Sequence, residues 1–377
     1  MPEAPATAVS PAGRPARKPQ LPALTGLRTL LACNIVLFHF TPPHMGPFYP
    51  LIDNSYVFVG FFFLLSGFVL AYNYADRPEL SKVDFWRARF ARLYPIYLFS
   101  LLMSFTMLAD EWHARSHGQF FAGVVLTPLL LQGWSPALAT FWNTVAWTLS
   151  CEVILYVAFP WIIRLPWPKT SGRLIVLLVT VWALGLVPHM LYMHLNPDHL
   201  TGPPDRYSSG VWIRALKYTP LAYVGTFLSG VILGKLQAGL TLTQRQRTLI
   251  ACASLLAMGV FFTKVVMHVP YILLHGGLLV PLFATLVIGL SGQNFVASTF
   301  SVRPLMLLGQ ASYALFLLHF NFINMLRHYH VPERLHVAAY DPWFSYAATI
   351  LLAVAVMYFI ERPARKAILS HGAPAAA

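Results

Sequence analysis

Two ionisable residues, Arg28 and His39, bracket ten mostly apolar residues in the stretch LRTLLACNIVLFH. On an α-helix, eleven positions correspond to about three turns and about 16 Å, so the two side chains would share one face at two depths. Ionisable groups at membrane depth are energetically unfavourable and usually face a protein interior or a water-filled cavity. This face is therefore the first candidate for a functional pathway.

Glu152, in NTVAWTLSCEVILYVAFP, is the only one of the 13 acidic residues that lies inside a predicted apolar span. With the topology derived below, Glu152 and His39 both lie in the outer half of the membrane, so they could meet. A carboxylate beside an imidazole orients the ring and raises its basicity, which would let His39 take a proton from a hydroxyl group. The alternative is a structural ion pair between Glu152 and Arg28 or another buried cation.

Arg89 and Arg92, in RARFARLYP, are three positions apart and would share one face of a helix. Guanidinium groups suit phosphate because their planar donors bind it in a bidentate manner. The pair therefore predicts a site for a phosphorylated ligand at the inner end of a span. The alternative is a topology signal or a contact with lipid headgroups.

The composition indicates a membrane protein, since 57% of the 377 residues are hydrophobic and only 10% are charged. The net charge of +13 does not indicate nucleic-acid binding, because the basic residues lie in short clusters and no zinc, helix-turn-helix or RNA-binding signature accompanies them. The three cysteines, Cys33, Cys151 and Cys252, have no CxxC or Cys/His spacing, so we expect neither a metal site nor a disulfide framework.

Apolar runs of about 20 residues predict an all-α, polytopic bundle of about ten transmembrane helices. A shorter apolar run at 120–132, interrupted by Pro128, predicts a re-entrant or interfacial segment buried against the bundle. The predicted spans lie near 24–41, 56–74, 93–108, 144–163, 174–194, 218–236, 249–268, 271–290, 304–326 and 343–360.

Most of the 26 Lys and Arg residues fall on one side of these spans if the N-terminus is cytoplasmic, which places both termini inside. We expect a disordered cytoplasmic tail at 1–20, a membrane domain at 21–366 and a short tail at 367–377. The inner segment 75–92 is amphipathic and is predicted to lie along the membrane interface before the next span begins. The outer segment 196–212 is predicted to be a flexible loop on the substrate side.

Six segments follow one another along the chain: LTGLRTLLACNIVLFH, VGFFFLLSGFVLAY, FWRARFARLYPIY, WTLSCEVILY, LGQASYALFLLHF and ERPARK. In this order they resemble the membrane-bound acyltransferase-3 family, the integral-membrane O-acyltransferases of bacterial surface polysaccharides and some natural products. Arg28 and His39 match the family's motif of arginine, ten residues and histidine, and Arg89 and Arg92 match its RxxR motif. Each segment alone is a weak signal, but the ordered set is highly specific.

The resemblance implies transfer of an acyl group, usually acetyl from cytoplasmic acetyl-CoA, to a hydroxyl of an acceptor outside a bacterial inner membrane. Arg89 and Arg92 would hold CoA phosphates, and the pantetheine arm would run along a pore lined by Arg28. His39, oriented by Glu152, would deprotonate the acceptor hydroxyl, while Arg28 would contact CoA or stabilise negative charge. Direct transfer is favoured, because no serine or cysteine has an obvious activating neighbour.

The acceptor stays open among a polysaccharide, a lipid-linked sugar, peptidoglycan and a small glycosylated metabolite. Because little follows ERPARK, we expect the chain to act alone or with a separate partner. The alternative function is a transporter in which the buried Arg28, His39, Glu152 and His319 form a relay without turnover of an acyl donor. His319 by itself is more typical of a core histidine hydrogen-bonded to a neighbouring helix.

Overall fold

The computed structural model describes residues 18–75 and 80–370. All regular secondary structure in these ranges is helical, which confirms the predicted all-α class. The predicted N-terminal tail lies outside the described residues except for 18–20, and so do 76–79 and 371–377. The final helix extends to Ser370, past the predicted boundary of the membrane domain at 366.

The α-helices are α1 (Pro22–His39), α2 (Tyr49–Asp53), α3 (Val57–Tyr74), α4 (Lys82–Met103), α5 (Leu108–Ala114), α6 (His117–Leu126), α7 (Trp147–Ile162), α8 (Ser171–Leu195), α9 (Val211–Tyr218), α10 (Pro220–Gly239), α11 (Gln244–Val260), α12 (Tyr271–His275), α13 (Val280–Leu290), α14 (Phe295–Phe300), α15 (Arg303–His328), α16 (Val331–Arg334), α17 (Trp343–Val356) and α18 (Arg362–Ser370).

Eight helices in the described ranges are long and apolar enough to cross a membrane, or nine if one bent pair counts as a single span. The bent pair joins Lys82–Met103 to Phe105–Ala114 at 60° and replaces the predicted span at 93–108. The predicted span at 144–163 becomes α7, which has only 16 residues and is too short to cross alone. The described ranges thus contain eight or nine candidate spans where the sequence predicts about ten, since hydropathy does not detect a bend or a helix that starts late.

Helix α4 begins earlier than the sequence pattern predicts. Ser81 caps it by accepting a hydrogen bond from the amide of Asp84 at 3.3 Å, and the helix then continues without a break to Met103. Residues 82–92 of the predicted interfacial segment and the first turns of the next span are thus one helix. As a result, Arg89 and Arg92 project from a rigid element rather than from a loop.

Between α6 and α7 the chain forms an irregular segment at 127–146, which we call the wedge and which contains both buried and exposed side chains. The side chains of Gln132 and Asn143 within it are fully buried. Asn143 donates to the carbonyl of Leu317 at 3.1 Å, and Ser150 on α7 donates to the carbonyl of Leu130 at 2.6 Å. Irregular backbone at membrane depth requires such protein partners. Of the predicted segment at 120–132, residues 120–126 belong to α6 and residues 127–132 to the wedge, and the side chains of Phe121 and Leu129 are 60% exposed.

Two close helix contacts set the register of the bundle. A Cβ atom at Gly67 of α3 would lie 2.1 Å from the carbonyl oxygen of Phe227 in α10. A Cβ atom at Gly309 of α15 would lie 2.0 Å from the carbonyl oxygen of Thr25 in α1. Only glycine permits backbones to approach so closely. The second contact fixes α1 against α15 and so determines which of their side chains face each other.

Candidate active site: two cavities that share a wall

Helix α1 presents its two ionisable residues to two different cavities. Arg28 lines a cavity of about 700 Å³, which we call the arginine cavity. His39 lines a second cavity of about 240 Å³, which we call the histidine cavity. Both residues lie on the continuous helix Pro22–His39, and each belongs to a separate chemical environment.

The arginine cavity collects guanidinium groups from three helices: Arg28 from α1, Arg89 and Arg92 from α4, and Arg362 and Arg365 from α18. Across the described residues, no carboxylate lies within 4.0 Å of Arg28, Arg89 or Arg92. The Nε atom of Arg89 is buried and has no hydrogen-bond partner there. Such a set of cations is suited to a polyanion such as a phosphorylated ligand.

Glu152 belongs to the arginine cavity and not to the histidine cavity. Its Oε1 accepts hydrogen bonds from Ser66 Oγ at 2.8 Å and from the Tyr156 hydroxyl. Neither His39 nor Arg28 is bonded to it. The prediction that Glu152 orients His39 is therefore not supported by the geometry, and the alternative of a direct ion pair with Arg28 is not formed either. The rotation of α7 directs the carboxylate toward α3.

Sequence reasoning missed several residues of the arginine cavity. Glu361 is 9% exposed, lines the cavity and has a buried Oε2 without a hydrogen-bond partner among the described residues. Arg362 donates to Gln310 Oε1 at 2.9 Å. The signal was present in ERPARK, which matched as a motif but received no role, since Glu361 lies just past the last predicted span. Lys18, assigned by sequence to the tail, also lines this cavity.

The histidine cavity has a largely aromatic wall, which includes Phe38, Tyr56, Trp147, Tyr207, Tyr218 and Tyr271. Its titratable members also include His39, His275 and Arg206. Burial, and then the nearby Asp53 carboxylate, hold the pKa of Tyr56 well above its usual value, so its hydroxyl stays neutral. Aromatic faces with a few polar groups suit a ligand that has both apolar faces and hydroxyls.

A segment that covers the histidine cavity is fixed by a buried lysine. Lys217 is 1% exposed, and its Nζ donates to the carbonyls of Asp205, Arg206 and Ser208 at 3.3, 2.9 and 3.2 Å. Arg206 forms an ion pair with Asp53 at 3.0 Å. The segment 196–212, predicted to be a flexible loop, is thus held by specific contacts, which its Pro, Gly and Ser content did not reveal.

The two cavities share part of their walls, because Val59 of α3 and Phe316 of α15 line both of them. Phe62 lies on the arginine side, with its ring centroid 6.2 Å from that of Phe316. We call Val59 and Phe316 the partition. It separates the cations of one cavity from His39 in the other by a thin apolar layer.

His39 lies beside a second histidine. The ring centroids of His39 and His319 are 5.2 Å apart, and the ring of Phe320 is also 5.2 Å from that of His39. Among the described residues, no group of three or more His, Cys, Asp or Glu side chains is arranged to hold a metal ion. The site therefore offers an imidazole pair, an aromatic wall and a separate set of cations as its chemical groups.

Comparison with known proteins gives a family and several relatives. A family model described as an acyltransferase domain matches residues 21–362. The acyltransferase MdmB of Streptomyces mycarofaciens is 35% identical over 156 residues, which are 39% of this chain and 40% of that protein. The O-acetyltransferase OatA of Staphylococcus aureus strain NCTC 8325 is 24% identical over 92% of this chain and 57% of its own length.

The peptidoglycan O-acetyltransferase OatA of Listeria monocytogenes is 23% identical, over 92% of this chain and 56% of its own length. The chain thus spans about half the length of the curated relatives it matches. No solved structure matches the chain. The family match covers α1 to the start of α18 and includes every residue of the two cavities named above except Lys18 and Arg365.

Proposed function

Because the chain belongs to the membrane-bound acyltransferase-3 family, we propose that it is an integral-membrane O-acyltransferase that uses acyl-CoA and acylates a carbohydrate or glycosylated acceptor. The observation that carries the proposal is the partition, where a cavity rich in arginine meets a cavity that contains His39. The Staphylococcus and Listeria relatives are O-acetyltransferases by name, which makes acetyl the first acyl group to test.

The arginine cavity is the proposed donor site. Arg89 and Arg92 bind the phosphates of CoA, and Arg28, which lies deeper on α1, contacts the arm that leads toward the partition. The volume of about 700 Å³ lies within the usual range for a cofactor-sized ligand. In the proposed topology this cavity opens to the cytoplasm of a bacterium, where acyl-CoA is made, and the chain lies in the inner membrane.

The histidine cavity is the proposed acceptor site, on the outer side. A sugar ring has apolar faces that pack on aromatic side chains and hydroxyls that bond polar groups, and both kinds of partner line this cavity. The acceptor hydroxyl would lie against His39. Peptidoglycan fragments are the first acceptors to try, since the Listeria relative is named for that substrate.

The reaction needs one general base and no covalent intermediate. His39 takes the proton of the acceptor hydroxyl as its oxygen attacks the thioester carbonyl carbon. The carbon–sulfur bond then breaks, an ester is left on the acceptor, and the proton passes from His39 to the CoA sulfur. The thioester reaches His39 through the partition, so donor and acceptor enter from opposite sides of one apolar layer.

The test uses purified full-length protein in nanodiscs with radiolabelled acetyl-CoA and a panel of peptidoglycan fragments and methyl glycosides. We expect acylated product, a loss of turnover of about 10²–10⁴-fold in His39→Ala, and unchanged CoA binding in that variant. Near-normal turnover in His39→Ala would refute the assignment of the base. Movement of labelled acceptor across vesicles without acetyl-CoA consumption would favour the transporter alternative.

A further inference from the structure

His319 of α15 is fully buried and is only half satisfied by hydrogen bonds. Its Nδ1 lies 2.7 Å from the carbonyl oxygen of Phe316. Since a carbonyl only accepts, this nitrogen carries the hydrogen and donates it, so Nε2 presents a lone pair. That Nε2 is buried and has no hydrogen-bond partner among the described residues. A buried acceptor without a donor is uncommon and unfavourable, which points to a partner at this position.

His39 is the polar ring in contact with His319. The other rings in contact with His319 are those of Phe40 and Phe316, at 6.5 and 6.0 Å, and neither has a donor to offer. The centroid separation of 5.2 Å between His39 and His319 is close to that of two imidazoles joined by one N–H···N bond, which is about 5 Å. The planes are inclined at 41°, and no hydrogen bond is formed between the two described rings, so the contact requires a rotation of the His39 ring.

We propose that His319 is a positioning residue for His39, an inference that rests on the proposed role of His39 as base. The Nε2 of His319 accepts the hydrogen of one His39 nitrogen, and the other His39 nitrogen then carries its lone pair toward the histidine cavity. When His39 takes the proton of the acceptor hydroxyl, its N–H bond to His319 strengthens and stabilises the imidazolium. The backbone carbonyl of Phe316 fixes the tautomer of His319, and the proton leaves His39 for the CoA sulfur.

This arrangement accounts for two observations that sequence reasoning did not connect. The carboxylate expected to orient His39, that of Glu152, is occupied by Ser66 and Tyr156 in the other cavity. The buried imidazole of His319 lies beside His39, where an orienting group is needed. A neutral imidazole can orient the His39 ring without placing a second charge in an apolar region.

The test compares His319→Leu, which cannot accept a hydrogen bond, with His319→Gln, whose amide oxygen can. The matched control is His189→Leu, because His189 is also buried. Its Nδ1 lies 3.3 Å from the carbonyl oxygen of Gly185, and its Nε2 has no hydrogen-bond partner among the described residues. His189 lies on α8 and does not line the histidine cavity.

We expect His319→Leu to lower kcat about 10- to 100-fold while the KM for acetyl-CoA and the binding of CoA stay unchanged. His319→Gln recovers most of kcat, and His189→Leu leaves kcat within about twofold of wild type. A purely structural role would lower the amount of folded protein in both leucine variants and would not separate kcat from KM. Wild-type kcat in a folded His319→Leu variant would overturn the proposal, as would equal inactivity of the Leu and Gln variants with CoA binding intact.

If His319→Leu does not fold, His319→Gln decides, because the proposal requires it to keep at least about a tenth of wild-type kcat. Loss to the level of His39→Ala would overturn the proposal. His39→Ala is assayed alongside. If that variant is active, the assignment of the base fails. If it is inactive while His319→Leu is unaffected, only the role of His319 fails.

Discussion

Arg28 and His39 lie on one helix, yet their side chains line different cavities that meet only at the partition. A single rigid element therefore holds the end of the proposed donor site and the start of the proposed acceptor site at a fixed distance. This relationship separates mutations that affect CoA binding from mutations that affect chemistry, and the predictions below use that separation.

Arg89→Ala and Arg92→Ala are expected to weaken CoA binding by about 10- to 100-fold each, because a charged hydrogen bond contributes about 1.5–3 kcal/mol. Isothermal titration with CoA measures this directly. Arg87→Ala is the matched control, since Arg87 lies on the same helix, pairs with Asp84 at 3.5 Å and does not line the cavity. An equal loss in all three variants would indicate a general charge effect in place of a site.

Glu152→Gln is expected to lower kcat at saturating acetyl-CoA far less than His39→Ala does. The glutamine oxygen can still accept from Ser66 and Tyr156, and the residue does not contact His39. The change should appear mainly in the KM for acetyl-CoA, because it removes a negative charge from the arginine cavity, the proposed donor site. Steady-state kinetics with both substrates varied measures kcat and KM separately. A fall in kcat alone would contradict this expectation and would support the predicted orientation of His39 by Glu152.

Val59→Phe is expected to lower kcat at least about tenfold and leave CoA binding unchanged, because it narrows the partition, which is the proposed route of the thioester. Val59→Ala should widen it and raise the rate with butyryl-CoA relative to acetyl-CoA. The control Val179→Phe places the same change at an exposed position of α8. If Val59→Phe transfers acetyl at the wild-type rate, the partition is not on the route.

Lys217→Met is expected to release the segment over the histidine cavity, since three carbonyls lose their common donor. Limited trypsin digestion followed by mass spectrometry should show faster cleavage after Arg206. Lys264→Met, at an exposed lysine, serves as the control. Unchanged cleavage at Arg206 would mean that the ion pair with Asp53 suffices to hold the segment.

The sequence predicted those features that depend on local periodicity. The apolar runs located most of the long helices, and the eleven-residue spacing placed Arg28 and His39 on one face. The same reasoning grouped Arg89 with Arg92, which do line one cavity. Each of these inferences needs only one helix and its rise per residue.

The features that sequence did not predict depend on how helices rotate against each other. The angle at which α7 faces α3 determines the partner of Glu152. The close contact of Gly309 in α15 with α1 determines the proximity of His39 and His319. Glu361 was missed because it ends a π-helical turn, Met357–Glu361, that continues the apolar span by a few residues. The wedge lacks any periodic pattern and so gives no helical or strand signal.

The wedge has a consequence for how the protein is assembled. Asn143 donates to the carbonyl of Leu317, and Asn321 donates to the carbonyl of Trp142, so some polar groups of this segment are satisfied by residues that lie 174 and 179 positions further along the chain. A nascent chain that has been synthesised only as far as α7 does not yet contain α15. We therefore expect residues 127–146 to stay out of the lipid interior until the C-terminal helices have inserted, which makes closure of the site one of the last steps of biogenesis.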